Sequence, residues 1–267
     1  MTDRSAAAGA GGQPRQPVFW DQLTWPDVAA LVARMRAVII PVGAVEQHGP
    51  HLPLNTDWLL VSAVAERVSA RTGVPVVPPL PYGTSASHGG WPGTLSLRPH
   101  TLAAVLEDVA RWLYMAGVRQ FFLLNGHEWN TAGMQTVVEG LRCGYSDVQV
   151  KLLNWWEPVA HEPEMSLDCP AAARLAHGNL TETALMLYVR PDLVHLDRAA
   201  AEDDEDFFWD YRMDQISRTG VMGRDAAGAT VEVGRKLIEL ASDRLAERLR
   251  AGLSETFRYK TDWTLER

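Results

Sequence analysis

The chain has 267 residues, of which 46% are hydrophobic and 22% charged, and its formal net charge is −8. This composition is typical of a soluble globular protein, and the acidic balance with scattered basic residues argues against a nucleic-acid partner. No apolar run approaches the roughly 20 residues of a spanning helix, so no membrane partner is expected. With only two cysteines and no CxxC pair, a disulfide framework is excluded and a cytoplasmic location is expected.

Two regions are predicted from composition. Residues 1–17 are rich in Gly, Ala and Gln without an apolar core, which indicates a disordered lead-in and not a signal peptide. Residues 18–267 contain no internal repeat and no clear linker, so they are predicted to form a single domain.

Strand and helix patterns alternate along this domain. Strands are predicted at 37–42, 74–78, 119–124 and 148–154, and helices at 24–36, 57–72, 100–116, 131–143, 180–189 and 231–250. Alternation of this kind predicts an α/β fold with a mostly parallel sheet covered by helices on both faces.

The first strand leads into a cluster of polar residues. Glu46 and His48 are two residues apart, so in an extended backbone both side chains point to one face. Asp57 follows where a helix begins. Open α/β sheets bind ligands at the carboxyl ends of their strands, so this stretch is a candidate metal site. Alternatively, these are ordinary loop acids and a surface histidine.

Two later stretches carry similar residues. His127 and Glu128 follow the third predicted strand, and neighbouring first and third strands would bring His127 opposite the first cluster. Carboxylates and imidazoles in one crevice would need a cation. His177 and Glu182 form the last stretch. Alternatively, His127 makes a hydrogen bond in a turn and Glu182 only stabilises a helix dipole.

Taken together, these motifs resemble the creatininase (creatinine amidohydrolase) family. The segments that carry the resemblance are EQHGPH at 46–51, LPLNTD at 52–57, PGTLSL at 92–97, NGH at 125–127, and His177 with Glu182 and Thr183. They occur in order between about residues 38 and 197. The resemblance implies a three-layer α/β/α sandwich, a small-molecule substrate, a two-metal centre and a closed homo-oligomer such as a hexamer.

The resemblance also implies a ligand set. Five residues are assigned to two divalent ions: Glu46, His48, Asp57, His127 and Glu182. Asp57 would bridge the ions. In creatininase the acid that completes the second site lies two residues after the histidine, whereas here Glu128 follows His127 directly, so we assign that role to Glu182. Oxygen and imidazole ligands without thiolate suit Zn²⁺, Mn²⁺ or Fe²⁺.

Other residues are expected around this centre. His177 is the candidate general acid for the leaving nitrogen, although a buried structural histidine is the alternative. Glu128 is the second catalytic candidate and is expected to face the substrate. His51 is expected to orient a ligand. The candidate substrate-binding residues, each of which could instead be core or interface, are His88, Trp91, Trp129 and Trp156.

The predicted activity is hydrolysis, or reversible closure, of a cyclic amide or related C–N bond through a metal-bridging hydroxide. Trp156 matches an active-site tryptophan of creatininase, but Ala173 stands where that enzyme has another, and residues 85–92 resemble the deformylase and peptidase branch. A formamide deformylase, a peptidase and a cyclic keto-inositol hydrolase therefore remain alternatives. A non-catalytic metabolite-binding module is the alternative of another class, and the complete ligand set favours the enzyme.

Overall fold

The computed structural model describes residues 16–159, 176–202, 210–223 and 225–257. Most of the predicted lead-in and Ala173 lie outside the described residues. The strands in the described part are β1 (Ala37–Val42), β2 (Gln120–Asn125) and β3 (Gln149–Asn154). The helices there are α1 (Trp25–Arg34), α2 (Thr56–Thr72), α3 (Pro99–Met115), α4 (Thr131–Gly144), α5 (Leu180–Val189), α6 (Met213–Ile216) and α7 (Val231–Ser254).

The three strands form a parallel sheet in the order β1-β2-β3. Val42 is opposite Asn125, and Asn125 is opposite Asn154, so all three strands end at the same level. The Asn125 side-chain amide donates to Oδ1 of Asn154 over 2.9 Å, which ties two of these ends together. The loops after the strands therefore begin side by side at one edge of the sheet.

The predicted strand at 74–78 is wrong as a regular strand. This segment and the residues after it run beside β1, but they form only isolated parallel bridges, among them those to Ile39 and Val42. Three prolines between positions 75 and 79 supply no backbone N–H, so a continuous ladder of hydrogen bonds cannot form here.

Helices cover both faces of the sheet. Val38, Ile40 and Val42 pack in a core with residues of α1, α3 and α4, whereas Ile39 packs in a second core with residues of α2, α5 and α7. This alternation follows from the two-residue period of a strand. The predicted three-layer α/β/α sandwich is confirmed. Among the helices described, none is both long and apolar enough to cross a membrane.

Helices α5 and α7 pack against each other at unusually short range. A Cβ atom on Gly234 of α7 would lie 1.9 Å from the backbone oxygen of Ala184 in α5. Only glycine permits this approach. The contact fixes α5 firmly, and the first turn of α5 carries Glu182.

Candidate metal centre

The loop after β1 carries Glu46 and His48 into the interior. Glu46 is fully buried, and its backbone N–H donates to the carbonyl of Leu54 over 2.8 Å. His48 is 1% exposed, and its Nδ1 lies 3.1 Å from the backbone oxygen of Glu46. That hydrogen bond turns Nε2 of His48 towards the other site residues.

Asp57 lies between two histidines. Its Oδ1 is 3.2 Å from Nε2 of His48, and its Oδ2 is 3.1 Å from Nδ1 of His127. Asp57 is in the first turn of α2, while His127 lies two residues after the end of β2. The neighbouring β1 and β2 therefore bring His127 opposite the first cluster, as the sequence predicted.

Glu46 faces His127 from the other side. Its Oε2 is 3.1 Å from Nε2 of His127, but the hydrogen of that nitrogen is directed at the carbonyl of Thr84, also 3.1 Å away. Within the described residues, neither carboxylate oxygen of Glu46 accepts an aligned hydrogen bond, and neither does Oδ2 of Asp57. Buried carboxylate oxygens in this state are stabilised by a bound cation or by a proton.

Glu182 completes the ring of acidic groups. Its Oε1 is 3.8 Å from Nε2 of His48, and its Oε2 accepts a 2.6 Å hydrogen bond from the backbone N–H of Gly178. The side chain of Asn179 caps α5 by accepting from two backbone N–H groups, so Glu182 is not needed as the cap. Oε1 of Glu182 remains directed at His48.

The pKa of each ionisable group in the centre depends on the charges of its neighbours. Burial opposes protonation of His48, but Asp57 and Glu182 outweigh it and raise the pKa of His48 to about 10. His127 behaves alike, since burial is outweighed by Glu46 and Asp57 and its pKa rises to about 9. Burial raises the pKa of Glu46 to about 7, although His127 opposes the rise. The carboxylates thus stabilise positive charge nearby, either protons on the two histidines or a bound metal ion.

The donor set fits divalent cations. Groups of potential ligand atoms lying within 4.8 Å of one another include Glu46 with Asp57 and His127, and His48 with His177 and Glu182. In His48 and His127 one ring nitrogen bonds to a backbone carbonyl and the other faces Asp57, which is the usual orientation of a metal-binding histidine. All five predicted ligands are therefore brought together.

Four of the five predicted ligands, all except His48, are among the described residues that line a cavity of about 430 Å³. The described residues that line it include Glu46, Asp57, His88, His127, Glu128, Trp129, Trp155, Trp156, His177, Glu182, Asp210 and Tyr211. Trp91 is not among them, because the chain turns at Gly89 after placing His88 in the wall. Asp210 and Tyr211 were not singled out from the sequence, since no motif marks them.

Glu128 and His51 lie differently from the ligands. Glu128 is exposed in a short 3-10 helix after His127, so it reaches the cavity without joining any of the described ligand groups.

Nε2 of His51 is 2.9 Å from the hydroxyl of Thr183, whose own proton goes to the carbonyl of Asn179. His51 therefore positions the start of α5 beside Glu182 and does not contact a ligand carboxylate through this bond.

His177 presents one nitrogen to the centre. Its Nε2 is 2.6 Å from the backbone oxygen of Gln47, and its Nδ1 is 3.5 Å from Oε1 of Glu46. Burial, with the nearby His48 and His88, lowers the pKa of His177 well below its usual value. The lowered pKa favours the neutral ring, in which Nε2 donates to the carbonyl of Gln47 and Nδ1 directs its lone pair towards Glu46.

Comparison with known proteins decides the family. The creatinine amidohydrolase (creatininase) family model matches residues 21–249. The chain belongs to the creatininase family. It is a metal-dependent hydrolase acting on C–N bonds.

Relatives within the creatininase family differ in substrate. The chain is 36% identical over 250 residues to a creatinine amidohydrolase of Pseudomonas putida, covering 87% of this chain and 96% of that protein. It is 36% identical over 166 residues to a mycofactocin precursor peptide peptidase of Mycolicibacterium smegmatis, covering 60% of each. A 3-dehydro-scyllo-inosose hydrolase of Thermotoga maritima is 26% identical over 200 residues, covering 74% of this chain and 64% of that protein.

Solved creatininases share the fold. A manganese creatininase and a mutant creatininase of Zn–Zn type each superpose with a TM-score of 0.80 and 33% identity, covering 90% of this chain and 100% of the other. Together with the donor set described above, these neighbours support divalent metal binding.

Proposed function

We propose that this creatininase-family protein is a two-metal amidohydrolase that opens, or reversibly closes, a cyclic amide in the cavity. The observation that carries the proposal is the convergence of five predicted metal ligands, in which buried carboxylate oxygens of Glu46 and Asp57 accept no aligned hydrogen bond from the described residues. A module that only bound a metabolite would not need such a centre. Elemental analysis of protein loaded with excess zinc or manganese, without chelators, tests it, and two ions per chain are expected.

The predicted ligands would divide between two ions. Glu46, Asp57 and His127 would hold one, and His48, Asp57 and Glu182 the other. Bound there, the ions would supply an activated water and an electrophile for the substrate carbonyl.

The chain's own contribution to proton transfer comes from His177. Its Nδ1 lone pair accepts a proton from the attacking water and returns it to the nitrogen that leaves, so that each water consumed opens one C–N bond. The hydrogen bond from Nε2 to the carbonyl of Gln47 holds the ring in place during both transfers.

Creatinine is expected to be a poor substrate. Glu128 and Asp210 add acidic groups to a cavity of about 430 Å³, which suits a larger ring carrying hydroxyl or amino donors better than the small flat ring of creatinine. Measured kcat/KM for creatinine should lie well below about 10⁴ M⁻¹s⁻¹, while a bulkier polar cyclic amide should be turned over faster. A creatinine value above that level would make the chain an ordinary creatininase.

The same assay distinguishes the alternative activities. Formamides and short peptides are included as probes, because the peptidase relative and the sequence of residues 85–92 keep those reactions open. If protein carrying both ions hydrolysed none of the probes, the binding-module alternative would gain support.

We also propose that the chain assembles into a homohexamer. On α3, Val105, Val109 and Trp112 follow one another at helical spacing and remain exposed, with Trp112 exposed to 69%. Exposed apolar stripes of this kind mark association surfaces. Light scattering should give six chain masses for the wild type and a smaller assembly for Trp112→Glu, and a monomeric wild type would contradict the proposal.

A further inference from the structure

The side chain of Gln47 occupies a buried position between two histidines of the cavity. It is 4% exposed, and its Nε2 is 2.9 Å from Nδ1 of His88 and 3.0 Å from Nε2 of His177. The same nitrogen is 2.9 Å from the carbonyl of Gly220. Three neighbours thus compete for the two hydrogens of one amide group.

Two contacts fix the orientation of this amide. Oε1 of Gln47 accepts from the backbone N–H of Gly49 over 2.9 Å, and Gly220 offers only an acceptor to Nε2. A flipped amide would place donor against donor and acceptor against acceptor. Gly220, with φ of +81°, fits tightly here, because a Cβ on it would lie 1.9 Å from Oε1.

The two hydrogens of the Gln47 amide then determine which ring nitrogen carries the proton in each histidine. Nε2 of His177 is 2.6 Å from the backbone carbonyl of Gln47, which can only accept, so this nitrogen carries a proton and cannot accept from the amide. One amide hydrogen goes to Gly220, and the other is left for Nδ1 of His88. A neutral His88 that accepts on Nδ1 carries its own proton on Nε2.

This assignment places a hydrogen-bond donor in the cavity wall. Nε2 of His88 is 3.7 Å from Oε1 of Glu46, and the ring is 4.3 Å, centroid to centroid, from that of His177. Burial, with His48 and His127, lowers the pKa of His88 to about 3, which agrees with a neutral ring. The two rings thus face Glu46 with opposite roles, a lone pair on His177 and an N–H on His88.

We infer that Gln47 is a positioning residue that holds neutral His88 with its proton on Nε2, where this N–H donates a hydrogen bond to the carbonyl oxygen of the bound substrate. A fixed donor at the site where negative charge develops stabilises the transition state. The donor role rests on the proposed amidohydrolase function, whereas the protonation of His88 does not.

The hydrogen bond from Gln47 also excludes His88 from a further metal site. Glu46, His88 and His177 also form a group of close potential ligand atoms. His88 could bind a cation through Nε2 only if its proton moved to Nδ1, and it would then lose the hydrogen bond from Gln47. The amide of Gln47 therefore keeps His88 out of the metal ligand set.

Nuclear magnetic resonance of zinc-loaded protein labelled with ¹⁵N-histidine tests the protonation directly. Wild-type His88, assigned by comparison with His88→Gln, should show its proton on Nε2. In Gln47→Glu, which replaces the donor by a carboxylate, His88 should carry a proton on Nδ1. Gln120→Glu, at an amide remote from the cavity, should leave the His88 signals unchanged. A wild-type His88 with its proton on Nδ1 or bound to zinc, or unchanged His88 signals in Gln47→Glu, would overturn the inference.

Kinetics test the donor role, with creatinine and larger cyclic amides as probes. His88→Gln places an amide N–H near the Nε2 position, while His88→Leu removes the donor. For the fastest probe, His88→Leu should lower kcat by about 100-fold or more, and His88→Gln should retain most of it. Equal losses would contradict the donor role. If the wild type hydrolyses no probe, the proposed function fails and with it the donor role, while the resonance result still decides the positioning by Gln47.

Discussion

Asp57→Asn is expected to release both metal ions and to abolish turnover. Asp57 directs one carboxylate oxygen at His48 and the other at His127, so it lies between the two predicted halves of the ligand set. The substitution replaces one of these oxygens by an amide nitrogen, which cannot bind a cation. Loss of a group that merely orients a ligand costs about 10–100-fold in metal affinity, so loss of a shared ligand should cost more than about 100-fold for each ion.

Elemental analysis and kinetics after gel filtration measure this result. Asp210→Asn is the matched control, because Asp210 lines the cavity but belongs to none of the described ligand groups. It should retain both ions. An Asp57→Asn protein that kept two tightly bound ions would show that Asp57 is not shared, and circular dichroism must confirm that the variant is folded.

Much of the fold was predictable from local patterns. Helix α2 and strand β1 lie within one residue of their predicted ranges, because helical spacing and β-branched runs report burial directly. The segment at 74–78 was predicted as a strand because its apolar residues resemble one. Its pairing is interrupted by prolines, which lack a backbone N–H, and a hydropathy pattern gives no information about backbone hydrogen-bond donors.

The assembly of the site was also predictable in part. Parallel strands that are neighbours end at one edge, so residues after β1 and β2 had to meet if those strands paired, and they do pair. What the sequence could not indicate was the role of Gln47. Its position between Glu46 and His48 was known, but its side-chain amide donates to His88 and to the carbonyl of Gly220, which lie 41 and 173 positions away in the chain. Such contacts exist only in the folded protein.

Two acids, Glu128 and Glu182, could from the sequence complete the second metal site. Glu128 follows His127 directly and is exposed, and it makes no described contact with the other ligands. Glu182 is held by the N–H of Gly178 and directs its remaining oxygen at His48. The close packing of α5 against α7 fixes the backbone of Glu182, whereas Glu128 lies on a short exposed turn. A rigid position favours a ligand role for Glu182.

Glu182→Gln should therefore lose one metal ion per chain and lower kcat/KM by at least about 100-fold. Glu128→Gln, the matched substitution at the neighbouring acid, should retain both ions and change mainly KM, because Glu128 lines the cavity but belongs to none of the described ligand groups. Titration of metal-free protein with zinc, followed by kinetics on the fastest cyclic amide, measures both effects. The assignment is wrong if Glu128→Gln loses an ion while Glu182→Gln keeps two. Loss of an ion in both variants would instead mean that the exposed turn closes onto the metal when it binds.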